Sequence, residues 1–85
     1  DPDAAWQWFF EQMLRWEIKE PALVYAQTYL SRLLGYGDDV AAVKLILRCR
    51  LINAAFRPLP DDSALAIAAA EHCGNEELVQ LLKSP

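Results

Sequence analysis

Residues 61–82 read Asp61-Asp62-Ser63-Ala64-Leu65-Ala66-Ile67-Ala68-Ala69-Ala70-Glu71-His72-Cys73-Gly74-Asn75-Glu76-Glu77-Leu78-Val79-Gln80-Leu81-Leu82. Asp61, Asp62 and Ser63 offer oxygens to the free N–H groups that open a helix. Five of the seven residues from Ala64 to Ala70 are alanine, the strongest helix former and one that lets a neighbouring helix come close. Gly74 supplies the left-handed conformation that closes a helix, and Asn75 caps the next one. Glu76 and Glu77 suit the positive end of that second helix, and Leu78, Val79, Leu81 and Leu82 make its buried stripe. Two short helices joined by a tight glycine turn are the expected unit.

The same punctuation extends upstream. Asp38 or Asp39 caps a helix to about Leu51, with Val40, Val43, Ile46, Leu47 and Leu51 expected on its inner side and Lys44 and Arg48 opposite. Before it, Pro21 to Leu34 carries the stripe Ala22, Leu23, Ala26, Tyr29, Leu30, Leu33 and Leu34, leaving Gln27, Thr28 and Ser31 outward, and ends at Gly35-Tyr36-Gly37. Glu20-Pro21 marks the break from a first helix of about Ala4 to Lys19, for which Asp1 or Asp3 is the available cap. Pro58 and Pro60 keep residues 52–62 out of a helix. Strand signals are nearly absent, so the expected fold is all-α: one domain over residues 1–85, with an N-terminal helix (1–20), a helical hairpin (21–51), a loop (52–62) and a second hairpin (63–83).

The first helix is the anomaly. Trp6, Phe9, Phe10, Met13, Leu14, Trp16 and Ile18 cover more than half its circumference, so it needs cover on more than one side. Trp6, Phe10 and Met13 are expected in the core. Trp8 falls on the far side, between Glu11 and Arg15, where a soluble monomer would not ordinarily place an indole. Tryptophan is enriched among residues that anchor interfaces, which makes Trp8, Phe9 and Trp16 candidate partner-binding residues, with Tyr25 and Tyr36 at the border.

Composition narrows the function. Eighty-five residues with 54% apolar content suit a single small domain with a real core. A net charge of −4 argues against a nucleic-acid binder, which needs a dominant basic face. No apolar stretch approaches the roughly 18 residues of a membrane span, and no export signal opens the chain. The start at Asp1-Pro2-Asp3 without Met, and the end at Ser84-Pro85, suggest a piece of a longer protein. Cys49 and Cys73 are the only cysteines; both are expected as buried free thiols, in an intracellular protein of the cytoplasm or nucleus.

Chemistry is not expected. His72 and Cys73 are neighbours in sequence and diverge by about 100° around a helix, so they cannot share a proton easily; His72 is expected instead beside the carbonyls that end its helix. Three Cys and His residues in all are too few for the four ligands of a structural zinc. The acidic pairs Asp38-Asp39, Asp61-Asp62 and Glu76-Glu77 each open a helix and are explained by capping. No cofactor, metal or catalytic residue is therefore expected.

The charge is unevenly spread. Residues 21–59 carry five bases against two acids, while both flanks are acidic. Arg48, Arg50 and Arg57 are either a docking patch for an acidic segment or partners of the flanking acids.

The two helical pairs resemble ankyrin repeats. Ser63-Ala64-Leu65-Ala66-Ile67-Ala68-Ala69 stands where that family has threonine, proline, leucine, histidine, any residue and two alanines. Gly74-Asn75-Glu76-Glu77-Leu78-Val79-Gln80-Leu81-Leu82 is similar to its glycine turn and second helix. Upstream, Gly37 followed by Val43-Lys44-Leu45-Ile46-Leu47 looks like the end of a preceding repeat, with Asn53-Ala54 where its outgoing loop begins. The two Val-x-Leu pairs, at Val43 and Val79, lie 36 residues apart, against the family's period of about 33. Alanine replaces the family's proline and histidine, one extra residue separates Ala69 from Gly74, and an aspartate precedes Ser63 where a glycine is usual. The resemblance covers residues 22–83 and implies a small stack of about two antiparallel hairpins, with the aromatic first helix as a cap. It implies a protein–protein interaction module that binds a partner peptide or helix. The alternative is self-association, with the domain serving as a homodimerisation device for its parent protein.

Overall fold

Helix ends, more than helix interiors, set this architecture. The computed structural model describes residues 2–84, without the side chains of Pro2, Asp3 and Trp6. Five α-helices run in order: α1 (Pro2–Arg15), α2 (Lys19–Tyr36), α3 (Asp39–Ile52), α4 (Ser63–His72) and α5 (Glu76–Lys83), with a 3-10 turn at Pro60–Asp62 before α4. There is no β-strand among the described residues. The radius of gyration of 12.2 Å equals the roughly 12 Å of a compact chain this long. The expectations that Asp1 or Asp3 caps α1 and that Trp6 is core fall outside the described side chains.

Three of the links between helices close with the same turn. At the end of α2, Gly37 takes φ 77°, and the N–H groups of Gly37 and Asp38 donate to Leu34 and Leu33 carbonyls at 3.2 and 3.0 Å. Gly74 does the same after α4 with φ 70°, its N–H reaching Glu71 and that of Asn75 reaching Ala70. These paired bonds satisfy carbonyls that the helix itself leaves free. The third such turn ends α1, where Glu17 and Ile18 donate to Leu14 and Met13 at 3.0 and 2.9 Å. There the left-handed position, φ 61°, is held by Glu17. A side chain in that region costs about 1–2 kcal/mol.

That turn corrects the first boundary. The first helix is expected to reach Lys19 and break at Glu20-Pro21; instead it stops at Arg15, and α2 already starts at Lys19. Pro21 therefore stands in the first turn of α2, where a missing N–H breaks no helical bond. The caps of α3 and α5 follow expectation: Asp38 accepts from Ala41 N–H at 3.2 Å and Asn75 from Leu78 N–H at 3.0 Å. The cap of α4 does not. Asp62 occupies the position without a capping bond, because its carboxylate accepts the Ser31 hydroxyl of α2 instead.

Helix α2 packs on α3 and α4 on α5, α3 against α4 joins the two pairs, and α1 packs on α2. Leu30, Ile46 and Leu78, each fully buried, belong to the single core that runs through α2, α3 and α5. On α4 the buried residues are Ala66, Ala69 and Ala70, small enough to sit between α3 and α5. Among the described side chains of α1, Phe10 is the one that enters this core completely, at 1% exposure; Met13 and Leu14 are half-buried against it.

Two expectations about side-chain direction fail. In α3 the buried residues are Ala42, Val43, Leu45, Ile46 and Cys49, which puts the inner face between Ala42 and Ile46. Val40, Leu47 and Leu51 lie on the opposite arc, with Leu51 at 87% exposure. In α2, Gln27 and Ser31 do not point to solvent. Gln27 Nε2 donates to the Arg57 carbonyl at 2.7 Å, and Ser31 takes Asp62 as described. Both residues fasten the 53–62 segment, in which Phe56 and Pro58 are themselves buried. Replacing Gln27 by alanine should therefore cost about 1 kcal/mol, read as a lowered urea midpoint with an unchanged slope.

Candidate interaction surface

The face that α1 and α2 share toward solvent is made of aromatic rings. Trp8 is 60% exposed and Phe9 nearly half exposed. Phe9 lies 5.6 Å from the ring of Tyr25 on α2, tilted by 33°, and Trp8 meets Phe9 edge-on at 6.4 Å and 67°. These separations are those of attractive ring pairs. Beside Tyr25 a shallow groove continues over Met13, Glu20, Pro21, Val24 and Thr28. Val24 is well exposed and Tyr25 partly so.

Phe10 explains why this face looks outward. With Phe10 turned fully into the core, the preceding residues Trp8 and Phe9 are carried about 200° and 100° around the helix, away from that core. The arc of α1 predicted as wide and apolar is thus only half covered. Of the site residues expected from sequence, Trp8 and Phe9 are brought together. Trp16, 61% exposed, stands about 10 Å further along the α1 axis, in the link to α2. Tyr36 sits at the opposite end of α2 from Tyr25, about 16 Å away, and does not border this surface. Val24 was not legible as a site residue: it lies off the α2 stripe, and a lone valine there carries no signal.

The three arginines divide. Arg48 pairs with Glu11 of α1 and places its guanidinium 5.8 Å from the centre of the Phe10 ring. Arg50 and Arg57 converge on one acceptor, the Phe56 carbonyl, each at 3.0 Å. Arg48 therefore binds α1 to α3, while the other two hold the connecting segment.

His72, Cys73 and Cys49 have separate surroundings. His72 stands in the last turn of α4, at the helix end as expected, and its Nδ1 lies 2.7 Å from Asp39 Oδ2, tying the end of α4 to the start of α3. Both cysteines are free, but Cys73 is exposed, against the expectation of two buried thiols, because it follows the last turn of α4 at the surface. Burial pushes the Cys49 thiol up to about 12, with Arg48 opposing. Cys49 is consequently neutral and unreactive at neutral pH, since the thiolate is the nucleophile. Under native conditions iodoacetamide should label Cys73 alone, and Cys49 only after denaturant is added; mass spectrometry of the labelled chain reads this. Because the folded thiol holds its proton more tightly, its contribution to stability is complete at neutral pH. That contribution falls away as pH climbs past the ordinary thiol range toward 12.

No described helix is long and apolar enough to cross a membrane. No known family model, curated protein or solved structure matches this chain.

Proposed function

We propose that this domain is a binding module rather than an enzyme, and that it docks a partner helix on the face built by Trp8, Phe9, Tyr25 and Val24. The observation that carries the reading is the Trp8–Phe9–Tyr25 ring cluster, paired ring to ring yet open to water. Water-exposed aromatic surface of this kind favours burial against an apolar partner. Its charge surroundings specify the partner further. Glu20 lines the groove, Glu17 stands in the adjoining link, and the chain carries −4 overall, so an amphipathic helix with an apolar stripe and basic flanks is the complementary ligand.

In this reading the hairpins form an ankyrin-like stack, as the motifs in residues 22–83 imply, and α1 is its aromatic end cap. Arg48, Arg50 and Arg57 serve the fold, since each has an intrachain partner. The test is a titration with a synthetic amphipathic peptide bearing leucines at helical spacing and lysines on its other face. A blue shift of tryptophan emission with a Kd in the micromolar range supports the proposal. No shift with the basic peptide, or equal binding of a peptide whose lysines are replaced by glutamates, overturns it.

A further inference from the structure

Gly37 and Gly74 hold the left-handed position of the turns that end α2 and α4, and Glu17 holds it in the turn that ends α1. The three turns share the same pair of backbone bonds. Only the α1 turn thus lacks the residue that adopts this conformation without strain. The link it belongs to, Trp16 to Ile18, is three residues long and connects α1 to the rest of the fold. The contacts that seat α1 include specific ones: Phe10 buried in the core, Glu11 paired with Arg48, and Phe9 on Tyr25.

We propose that α1 exchanges between two copies of this chain, so that the α1 of each occupies the seat on α2 and α3 of the other. In such a dimer the Phe10, Glu11 and Phe9 contacts form again in trans, and the link alone changes. A short link under strain is what tips that balance toward exchange. Release takes Glu17 out of its left-handed conformation twice, once per chain. The opened link does not extend the helix, because Pro21, four residues past Glu17, lacks the N–H that would bond the Glu17 carbonyl and crowds it. It runs extended instead, spanning about 10 Å, which places the two bodies side by side and leaves both aromatic faces available. The inference does not depend on what those faces bind.

The test uses the ion pair as a label for which chain receives which helix. Glu11→Arg sets two cations against each other in the seat, and Arg48→Glu sets two carboxylates there. Mixed after joint refolding, the two variants restore an opposite-charge pair in both seats of a heterodimer, and in no homodimer. Sedimentation and native mass spectrometry are expected to show that heterodimer, with the mixture recovering the thermal stability each variant lacks alone. The unmodified chain, refolded at high concentration, is expected to populate a dimer that Glu17→Gly weakens by about tenfold or more, as relief of strain in two links implies. A chain that stays monomeric at millimolar concentration after refolding, with no heterodimer in the mixture, overturns exchange. So does a dimer that ignores Glu17→Gly and pairs the two variants in statistical proportion without recovering stability, which is side-by-side association. Trp8→Ala should weaken peptide binding and leave the exchange intact, whereas a chain that never dimerises can still bind the peptide, so the two proposals fail separately.

Discussion

Phe10→Ala is expected to destabilise the domain by about 3–5 kcal/mol, the range for removing a buried phenyl group. A domain of this size has about 5–15 kcal/mol to lose, so the variant should sit near the edge of folding at room temperature. Three effects act at this one side chain. The ring is 1% exposed, and its removal leaves a cavity facing Tyr29, Leu33 and Leu45, with which it shares a cleft. The Arg48 guanidinium above the ring loses a favourable contact of about 0.5–1 kcal/mol. Without the ring, α1 is held by half-buried Met13 and Leu14 and by the Glu11–Arg48 pair, which partial exposure keeps weak. Urea unfolding followed by far-ultraviolet circular dichroism gives the number. Phe9→Ala is the control: its ring is nearly half exposed, and the loss should stay near 1 kcal/mol. Equal losses at the two positions would mean that α1 is not anchored through Phe10.

The contrast between neighbouring phenylalanines shows what could be read from the residues alone. Helix punctuation was legible wherever a residue acts on its own backbone: Asp38 and Asn75 cap, and Gly37 and Gly74 close, because those effects are local. The Glu17 turn was not legible, since nothing in Trp16-Glu17-Ile18 announces a left-handed residue; the turn exists because α1 must fold back onto α2. Directions of side chains failed where a helix has two neighbours. For α3 a single apolar stripe places Val40, Leu47 and Leu51 inward. Contact with both α2 and α4 instead centres the buried arc on Ala42, Leu45, Ile46 and Cys49. The 53–62 segment was readable as non-helical from its prolines. That Gln27 and Ser31 would spend their polar groups holding it was not, because their partners Arg57 and Asp62 lie 30 and 31 residues away in sequence. Of the candidate surface, Trp8 was legible as an indole on the polar side of a helix. Its clustering with Tyr25 depends on how α1 lies across α2, which no pattern in one helix specifies.

Trp8→Ala is expected to separate binding from stability more sharply than any other single change. The indole is 60% exposed and meets the Phe9 ring edge-on, so its removal should move the thermal midpoint no more than a typical surface substitution, within about 0.5 kcal/mol. Binding is another matter. An aromatic side chain offers about 150–250 Å², and covering the exposed part at roughly 25 cal/mol per Å² supplies at most about 4 kcal/mol. Ordering of the peptide reduces this, yet central tryptophans still commonly cost 2 kcal/mol or more when truncated. Affinity for the basic amphipathic peptide should therefore fall about thirty-fold or more, measured by calorimetry because one of the fluorophores is lost. Phe9→Ala should fall between Trp8→Ala and Val24→Ala, since the Phe9 ring is already half covered by Tyr25 before any partner arrives. Leu51→Ala, at a side chain more exposed still but on the outward arc of α3, should bind like the unaltered chain. If Leu51→Ala weakened the complex as much as Trp8→Ala, the peptide would be adhering to apolar surface in general and the α1–α2 face would have no special claim to it.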